Sequence, residues 1–389
     1  MAQARSIPWW RTRRTRDIAF QAALILAVVV VAAIMAMNTI ATLQRQHIAT
    51  GFGFLDSVAG FDIVQTLVTY DETSTYARVL LVGLLNTLLV AAIGIVLATL
   101  LGFVIGIGQL SSNWLIAKLA RGYVELVRNL PLLLQIFFWY FAVLGALPGP
   151  RESWGFGESV FLNNRGLYLP APVAEAGFGF VALAFVAGVV ASIAMFLRAK
   201  AVRERTGQVS PVAPGTAALL IVPVLLVSAL TGFPMTFSFP ALEGFNFDGG
   251  VVVLPELMAL VIALATYTAS YIAEIVRAGI EGVARGQTEA AQALGLNRGQ
   301  ALRLIIVPQA MRQIIPPLTS QYLNLTKNSS LAVAIAYPDL VSVFAGTSLS
   351  QTGQAIEIIA ITMAVYLTIS LITSYLMNLY NSRVALTER

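Results

Sequence analysis

Apolar runs of membrane-spanning length alternate with short polar segments along the whole chain. They fall at about 18–40, 79–107, 114–146, 178–197, 216–233, 251–276, 305–335 and 354–379. Each is near or above the ~20 residues that a helix needs to cross a ~30 Å hydrocarbon core. The pattern predicts an all-α polytopic membrane protein with about eight transmembrane helices. Charges and prolines break the third and seventh runs, which are the least regular. Arg13-Arg14 precedes the first run as in a cleaved leader, but the run is long for a signal sequence and more spans follow. It is read as an uncleaved first helix.

One polar stretch stands apart, Glu289-Ala290-Ala291-Gln292-Ala293-Leu294-Gly295 leading to Ile305-Ile306-Val307-Pro308. Thr288 is placed to be an N-cap, with Glu289 in the first turn where the helix dipole favours a carboxylate. Gly295 suits the left-handed residue that ends a helix, with Leu296 behind it. Asn297 and Gln300 have the spacing of a capping box that opens a second helix. The expectation is two short helices in an L, the first about 10 Å long at 1.5 Å per residue. Such a knuckle between spans offers a partner something rigid to hold.

Composition agrees with a membrane protein. The 389 residues are 58% hydrophobic and 11% charged, with a mean hydropathy of +0.80, whereas soluble domains carry about 25% charged residues. The absence of cysteine excludes disulfides and thiolate metal sites, and the single histidine, His47, reads as a solvated loop residue. The pI of 9.6 does not call for nucleic acid, because the basic residues follow membrane topology. With both termini on one side, 19 of the 24 Lys and Arg fall in the N-terminus, alternate loops and the C-terminus. The opposite loops hold only Arg45, Arg78, Arg151 and Arg165, and are otherwise acidic. By the positive-inside rule both termini and the stretch around Glu289 are cytoplasmic. The four basic residues from Arg198 to Arg205 read as an orientation signal between two spans.

No Gly-Lys dipeptide exists, so the chain has no phosphate-cradling G-x-x-x-x-G-K-[ST] loop, and ATP chemistry must come from another polypeptide. No nucleophilic triad, H-E-x-x-H motif or paired-carboxylate site is present either, so the chain reads as non-enzymatic. The informative groups are polar residues within the spans, which are costly in lipid. Glu274 lies three residues before Arg277, so the two can pair on one helix face, bracing the helix or lining a pathway. Lys327-Asn328-Ser329-Ser330 should face the protein interior or a water-filled cavity, lining a path or tying helices together. Pro316-Pro317 is expected to bend or interrupt the same span. Tyr267 and Thr268 can face a pathway or a neighbouring helix, and Asn86-Thr87 can hydrogen-bond a neighbour. Glu256 and Glu357 sit near span ends where interfacial water is the default. Phe137-Phe138-Trp139-Tyr140 reads as an interfacial aromatic belt.

The stretch from Glu289 resembles the E-A-A-x₃-G-x₉-I-x-L-P motif of ABC-importer permeases, with Val307 in place of Leu. Tyr123-Val124-Glu125-Leu126-Val127-Arg128-Asn129-Leu130-Pro131-Leu132-Leu133-Leu134-Gln135 is similar to the YVE-x₂-R-x₂-PLL-x-Q stretch of polar amino acid permeases. Tyr271–Ile280, Pro308-Gln309-Ala310 and Tyr337-Pro338-Asp339-Leu340 extend that likeness. An extra first span and an insertion over 148–250 resemble the long permeases of general L-amino acid importers of Gram-negative bacteria. The resemblance implies a type I importer permease core in two parts, 79–147 and 251–389. An added segment 1–78, the insertion with two further spans and a cytoplasmic coupling helix near 284–304 complete the layout.

It also implies an L-amino acid substrate, a second related permease, a periplasmic substrate-binding protein and two copies of an ATPase that hold ATP and Mg. This chain itself would bind no cofactor and would sit, with lipid around it, in the bacterial inner membrane. Glu289, Ala290, Ala291, Gly295 and Pro308 would couple to the ATPase. Lys327, Asn328, Ser329, Ser330, Glu274, Tyr267 and Asn86 are the candidate pathway residues. Many relatives of this type have Asp where Asn328 stands. Two rivals are an ion-coupled transporter or channel using Lys327, Glu274 and Glu357, and a non-transporting assembly subunit.

Overall fold

The computed structural model describes residues 13–45, 50–207 and 212–384. His47 and the basic residues Arg5, Arg11 and Arg389 lie outside them. In chain order the first helices are α1 (Arg13–Arg45), α2 (Tyr76–Gln109), α3 (Trp114–Asn129) and α4 (Leu132–Phe137). A π-helical turn, Phe138–Leu144, continues α4. Four strands follow, β1 (Trp154–Phe156), β2 (Val160–Asn163), β3 (Gly166–Leu169) and β4 (Ala171–Ala174). Next come α5 (Phe178–Thr206) and α6 (Val212–Leu230), then β5 (Met235–Ser238), β6 (Ala241–Glu243), β7 (Asn246–Asp248) and β8 (Val251–Val253). The last third holds α7 (Pro255–Glu281), α8 (Arg285–Ala293), α9 (Arg298–Ala301), α10 (Val307–Asn328), α11 (Leu349–Thr352) and α12 (Ala355–Val384).

Among the described residues, five helices are long and apolar enough to cross a membrane: α2, α5, α6, α7 and α12. Two broken pairs raise the number to seven if each pair is one span, and α1 adds a shorter apolar stretch, Ala19–Met35. The third predicted span is not one helix. It breaks at Leu130-Pro131, where proline lacks an N–H and pushes the residue before it out of the helical region. The seventh span also breaks, but not where expected. Pro316 and Pro317 stay inside α10. The helix tightens to a 3₁₀ turn only at Ser329–Ile335, and a π-helical segment, Leu340–Ser348, follows at 53°.

The chain forms two compact units. One holds residues 1–129 and 264–389, and the other Leu130–Ala263. In the first, Phe54, Ile63, Tyr76, Val79 and Val82 share a core with Leu340, Val343, Phe344 and Ile358. Helix α2 enters its surroundings through small residues spaced four apart, Gly94, Ala98, Gly102 and Gly106, which allow close backbone approach. A Cβ added at Gly102 would stand 2.6 Å from the Ile272 side chain, and one at Gly106 2.8 Å from the Ala273 carbonyl.

The second unit contains strands that hydropathy did not foretell. β1, β2, β3 and β8 form an antiparallel sheet in that order. β4 pairs with β5 and β6 with β7 as separate antiparallel ribbons. Val, Phe, Tyr, Trp and Thr, which suit a pleated surface, recur in them, and Phe247 lies 4.7 Å from Phe161 and 4.8 Å from Tyr168, ring to ring. Elements of three or four residues are too short to show a period of two, so the region reads from sequence as turns.

The small-residue stripe makes a direct prediction. Gly106→Leu should destabilise the solubilised protein by about 1–3 kcal/mol through overpacking, read as a lower midpoint in thermal size-exclusion. Gly122 has nothing within 4 Å of an added Cβ, so Gly122→Ala should leave the midpoint unchanged or slightly raised.

Candidate functional site

The polar stretch after α7 forms the expected knuckle with two corrections: its first helix starts earlier, and its second is not a short helix but the start of one that runs on unbroken through α10. Helix α8 begins at Arg285, behind Ala284, and no side chain caps it. Thr288 is therefore not the N-cap, and Glu289 sits mid-helix rather than in the first turn. The helix is a turn longer than its motif because Arg285, Gly286 and Gln287 continue its geometry backwards. Its far end is as expected. Gly295 has φ +75°, the Leu296 N–H donates to Ala291 O at 3.1 Å, and the Gly295 N–H donates to Gln292 O at 2.9 Å. These are the two bonds of a Schellman motif.

Asn297 and Gln300 then form the capping box. The Asn297 N–H donates to Gln300 Oε1 at 3.0 Å, and the Gln300 N–H donates to Asn297 Oδ1 at 2.9 Å. A short π-helical stretch, Leu302–Ile306, leads into α10 with Pro308 in its first turn. Glu289, Ala290 and Leu294 are exposed while Ala291 is buried, so one face of α8 is anchored and the other is presented. The Gln309 side-chain amide donates to Gln287 Oε1 at 3.1 Å, tying α10 back to α8.

A second constellation surrounds Glu274. The Arg277 guanidinium forms a two-pronged pair with the Glu274 carboxylate and donates to Glu281 Oε2 at 2.6 Å. Glu274 and Arg277 line a polar cavity of about 670 Å³ with Gln109, Arg121, Glu125, Arg128 and Tyr271. Arg128 stacks over the Tyr271 ring at 4.9 Å, and the Tyr271 hydroxyl lies 3.0 Å from that of Tyr267. Gln109 is 3% exposed, and its amide nitrogen has no hydrogen-bond partner among the described residues. Sequence reasoning chose Glu274 and Tyr267 but missed Gln109, Arg121, Glu125 and Arg128. The last three recur at i, i+4 and i+7 on α3, a polar stripe legible in the sequence.

The remaining candidates lie elsewhere in the same unit. Asn86 is fully buried, and its amide donates to Gln65 O at 2.9 Å and Pro338 O at 2.8 Å, both in non-helical segments rather than a neighbouring helix. Lys327 is exposed, Asn328 half-buried and Ser329 buried. The Ser329 and Ser330 hydroxyls donate to the carbonyls of Thr326 and Lys327, each at 2.7 Å. Among the described residues Lys327 has no acidic partner within ion-pair distance. The two carboxylates expected at solvated span ends have partners: Glu256, in the second unit, accepts from the Tyr140 hydroxyl at 2.9 Å, and Glu357, in the first, from the Gly51 N–H at 2.7 Å. Asp339 went unnoticed as a site of its own. It is fully buried, caps the π-helical segment by accepting from the Ser342 N–H at 2.8 Å, and receives the Tyr366 hydroxyl at 3.5 Å. Its signal was an aspartate directly before an apolar run.

Residues 94–386 match the family of binding-protein-dependent transport system inner membrane components. The chain belongs to that family. It is thus a permease component of a transport system that works with a binding protein, and the rival of a self-contained ion-coupled transporter falls away. The chain is 56% identical over 355 residues to the general L-amino acid transport system permease protein AapQ of Rhizobium johnstonii, covering 91% of this chain and 88% of that one. It is 42% identical over 385 residues to the glutamate/glutamine/aspartate/asparagine transport system permease protein BztB of Rhodobacter capsulatus, covering 90% and 89%.

The knuckle's dependence on Gly295 is measurable. Left-handed backbone costs an L-residue about 1–2 kcal/mol, and nothing within 4 Å would oppose a side chain there. Gly295→Val should therefore speed hydrogen exchange of the amides at 295 and 296 by about 5–30-fold, while Gly295→Asn, which tolerates this conformation, should change it little.

Proposed function

We propose that this chain is one of two permease subunits of an ATP-driven importer carrying L-amino acids from periplasm to cytoplasm. The observation that carries the proposal is the α8 knuckle: a nine-residue helix, locked at its end by two backbone bonds, presenting Glu289 and Ala290 outward in a chain with no nucleotide-binding loop. A separate ATPase would bind ATP and Mg and grip that knuckle, one copy for each permease. The names of AapQ and BztB, matched along most of their length, support amino acids as the cargo. A periplasmic binding protein would deliver them.

The distribution of Lys and Arg supports cytoplasmic termini in the bacterial inner membrane. Lys327 supports a second permease. A charge within a span is expensive in lipid, yet this one is exposed on the isolated chain, and a partner subunit covering it would enclose it in a pathway. In this scheme ATP binding draws the two ATPases together and their motion moves the knuckle. The permease contributes different contacts to the substrate in two states, and the ATPases contribute the free energy.

Two outcomes follow. Wild-type chain should co-purify with its ATPase in stoichiometric amount, whereas Gly295→Val should lose the ATPase with its membrane spans intact; normal transport by that variant would refute the docking role. Asn328→Asp should shift competition in reconstituted vesicles toward Arg and Lys, because it restores a carboxylate beside the proposed path. An unchanged substrate ranking would remove Asn328 from the path.

A further inference from the structure

Helices α5 and α6 form a hairpin that is apolar and exposed along most of its length. Both are long enough to cross a membrane and almost none of their residues are buried. They pack on each other through Gly188, where an added Cβ would stand 2.4 Å from the Leu219 carbonyl. At the end away from the basic Arg198–Arg205 segment, both helices run directly into the β4–β5 ribbon. The chain leaves α6 after Leu230 and turns sharply. Gly232 has φ +76° and Phe233 has φ +55°. The left-handed region is unfavourable for a bulky aromatic residue, and such strain persists where the surroundings reward it. Here two backbone bonds that close the helix end supply that reward, from the Phe233 N–H to Ser228 O at 2.6 Å and from the Gly232 N–H to Ala229 O at 3.4 Å, while the Phe233 residue itself is left 65% exposed.

The ribbon beyond has two unlike faces. Directly opposed residues share a face, and faces alternate along each strand. The register pairs Ala174 with Met235 and Pro172 with Phe237 on one face, and Val173 with Thr236 and Ala171 with Ser238 on the other. On the first face all four are exposed, and none carries a side-chain hydrogen-bond donor. Phe239 extends it, 56% exposed and 6.5 Å from Phe237 ring to ring. On the second face the Ser238 hydroxyl accepts from the Gly250 N–H at 3.1 Å.

We propose that the Met235–Phe237 face, with Phe233 and Phe239 at its ends, lies on the membrane surface and inserts into the lipid headgroup–acyl boundary. It would act as a lateral anchor for the α5–α6 hairpin. Lipid is the occupant because the face is continuous with two lipid-exposed helices and starts three residues beyond the last residue of one of them. It carries no charge for a protein partner to read, and aromatic residues concentrate at this depth. The turn at Gly232-Phe233 lays the strand aside instead of extending the helix axis into water. The inference needs only the hairpin in a membrane, so it stands or falls apart from the cargo and the ATPase.

The chain has no cysteine, so single nitroxide labels can be placed without background. Thr236→Cys and Phe237→Cys would be labelled in the full chain, assembled with its transporter partners in phosphatidylethanolamine–phosphatidylglycerol vesicles. Collision with oxygen, which partitions into lipid, would be compared with collision with water-soluble nickel–EDDA. The ratio of oxygen to nickel accessibility should be several-fold higher at 237 than at 236. Met235→Cys repeats the reading should Phe237→Cys lower the folded yield. Equal nickel access at both positions would overturn the proposal in favour of a water-facing ribbon. Shielding of 237 from both reagents would overturn it in favour of a protein partner.

Discussion

In hydrocarbon no water replaces a lost hydrogen bond, so every break in a helical span must be repaired from within the protein. The rest of the first unit depends on how this is done between Ser329 and Leu340. The helix tightens, passes Ala336 at φ +57° and restarts after Asp339. Five side chains close the gap. Ser329 and Ser330 take carbonyls of the last α10 turn, Thr87 accepts from the Leu340 N–H at 3.0 Å, and Asp339 takes the Ser342 N–H. Asn86 covers the Pro338 carbonyl, which has no adjacent helical N–H to pair with. Polar residues of α2 thus serve the backbone of a segment some 250 residues away. Their position on α2 is fixed in turn by the glycine and alanine stripe that lets this helix lie close to α7.

This repair bears on what the intramembrane polar residues are for. Asn86, Ser329 and Ser330 spend hydrogen bonds on backbone, and removing Asn86 or Ser329 would leave a buried or part-buried group unmatched. Glu274 and Lys327 do not serve backbone. Glu274 opens onto a cavity whose wall carries three arginines and two glutamates, with an unsatisfied buried amide at Gln109. Lys327 stands exposed. The candidates that looked alike as polar letters in apolar runs separate into menders of a broken helix and charges turned outward.

What could be read beforehand follows from the range of the interactions. Gly295, Asn297 and Gln300 act within five residues of one another, so their chemistry is complete in the local sequence, and the cap and box were legible. The start of α8 was not, because Ala284 offers no side chain to recognise and Thr288 imitated one. Leu130-Pro131 could have been read as a break, yet hydropathy averages across a two-residue interruption. The strands of the second unit are held by pairings such as Tyr168 with Val252, far apart in sequence, and no local pattern announces them. The cavity was half legible. Its α3 wall has helical periodicity, while its closure by Gln109 and Tyr271 needs the tertiary fold.

The knuckle and the cavity are joined by short covalent and hydrogen-bonded links. Arg277 holds Glu274, which faces the cavity, and Glu281 at the last turn of α7. Three residues then reach α8. From the other side Gln287 of α8 receives Gln309 of α10, and Gln313 of α10 donates to the Gly282 carbonyl at 3.5 Å. A force applied to α8 is therefore shared by α7 and α10 before either can slip past the other. Without its Schellman bonds the far end of α8 would absorb it by fraying, since helix ends without bonded carbonyls unwind first. The Schellman motif and the capping box stiffen the end of α8 that faces α9, and the Gln309–Gln287 hydrogen bond steadies the first turn, which no side chain caps.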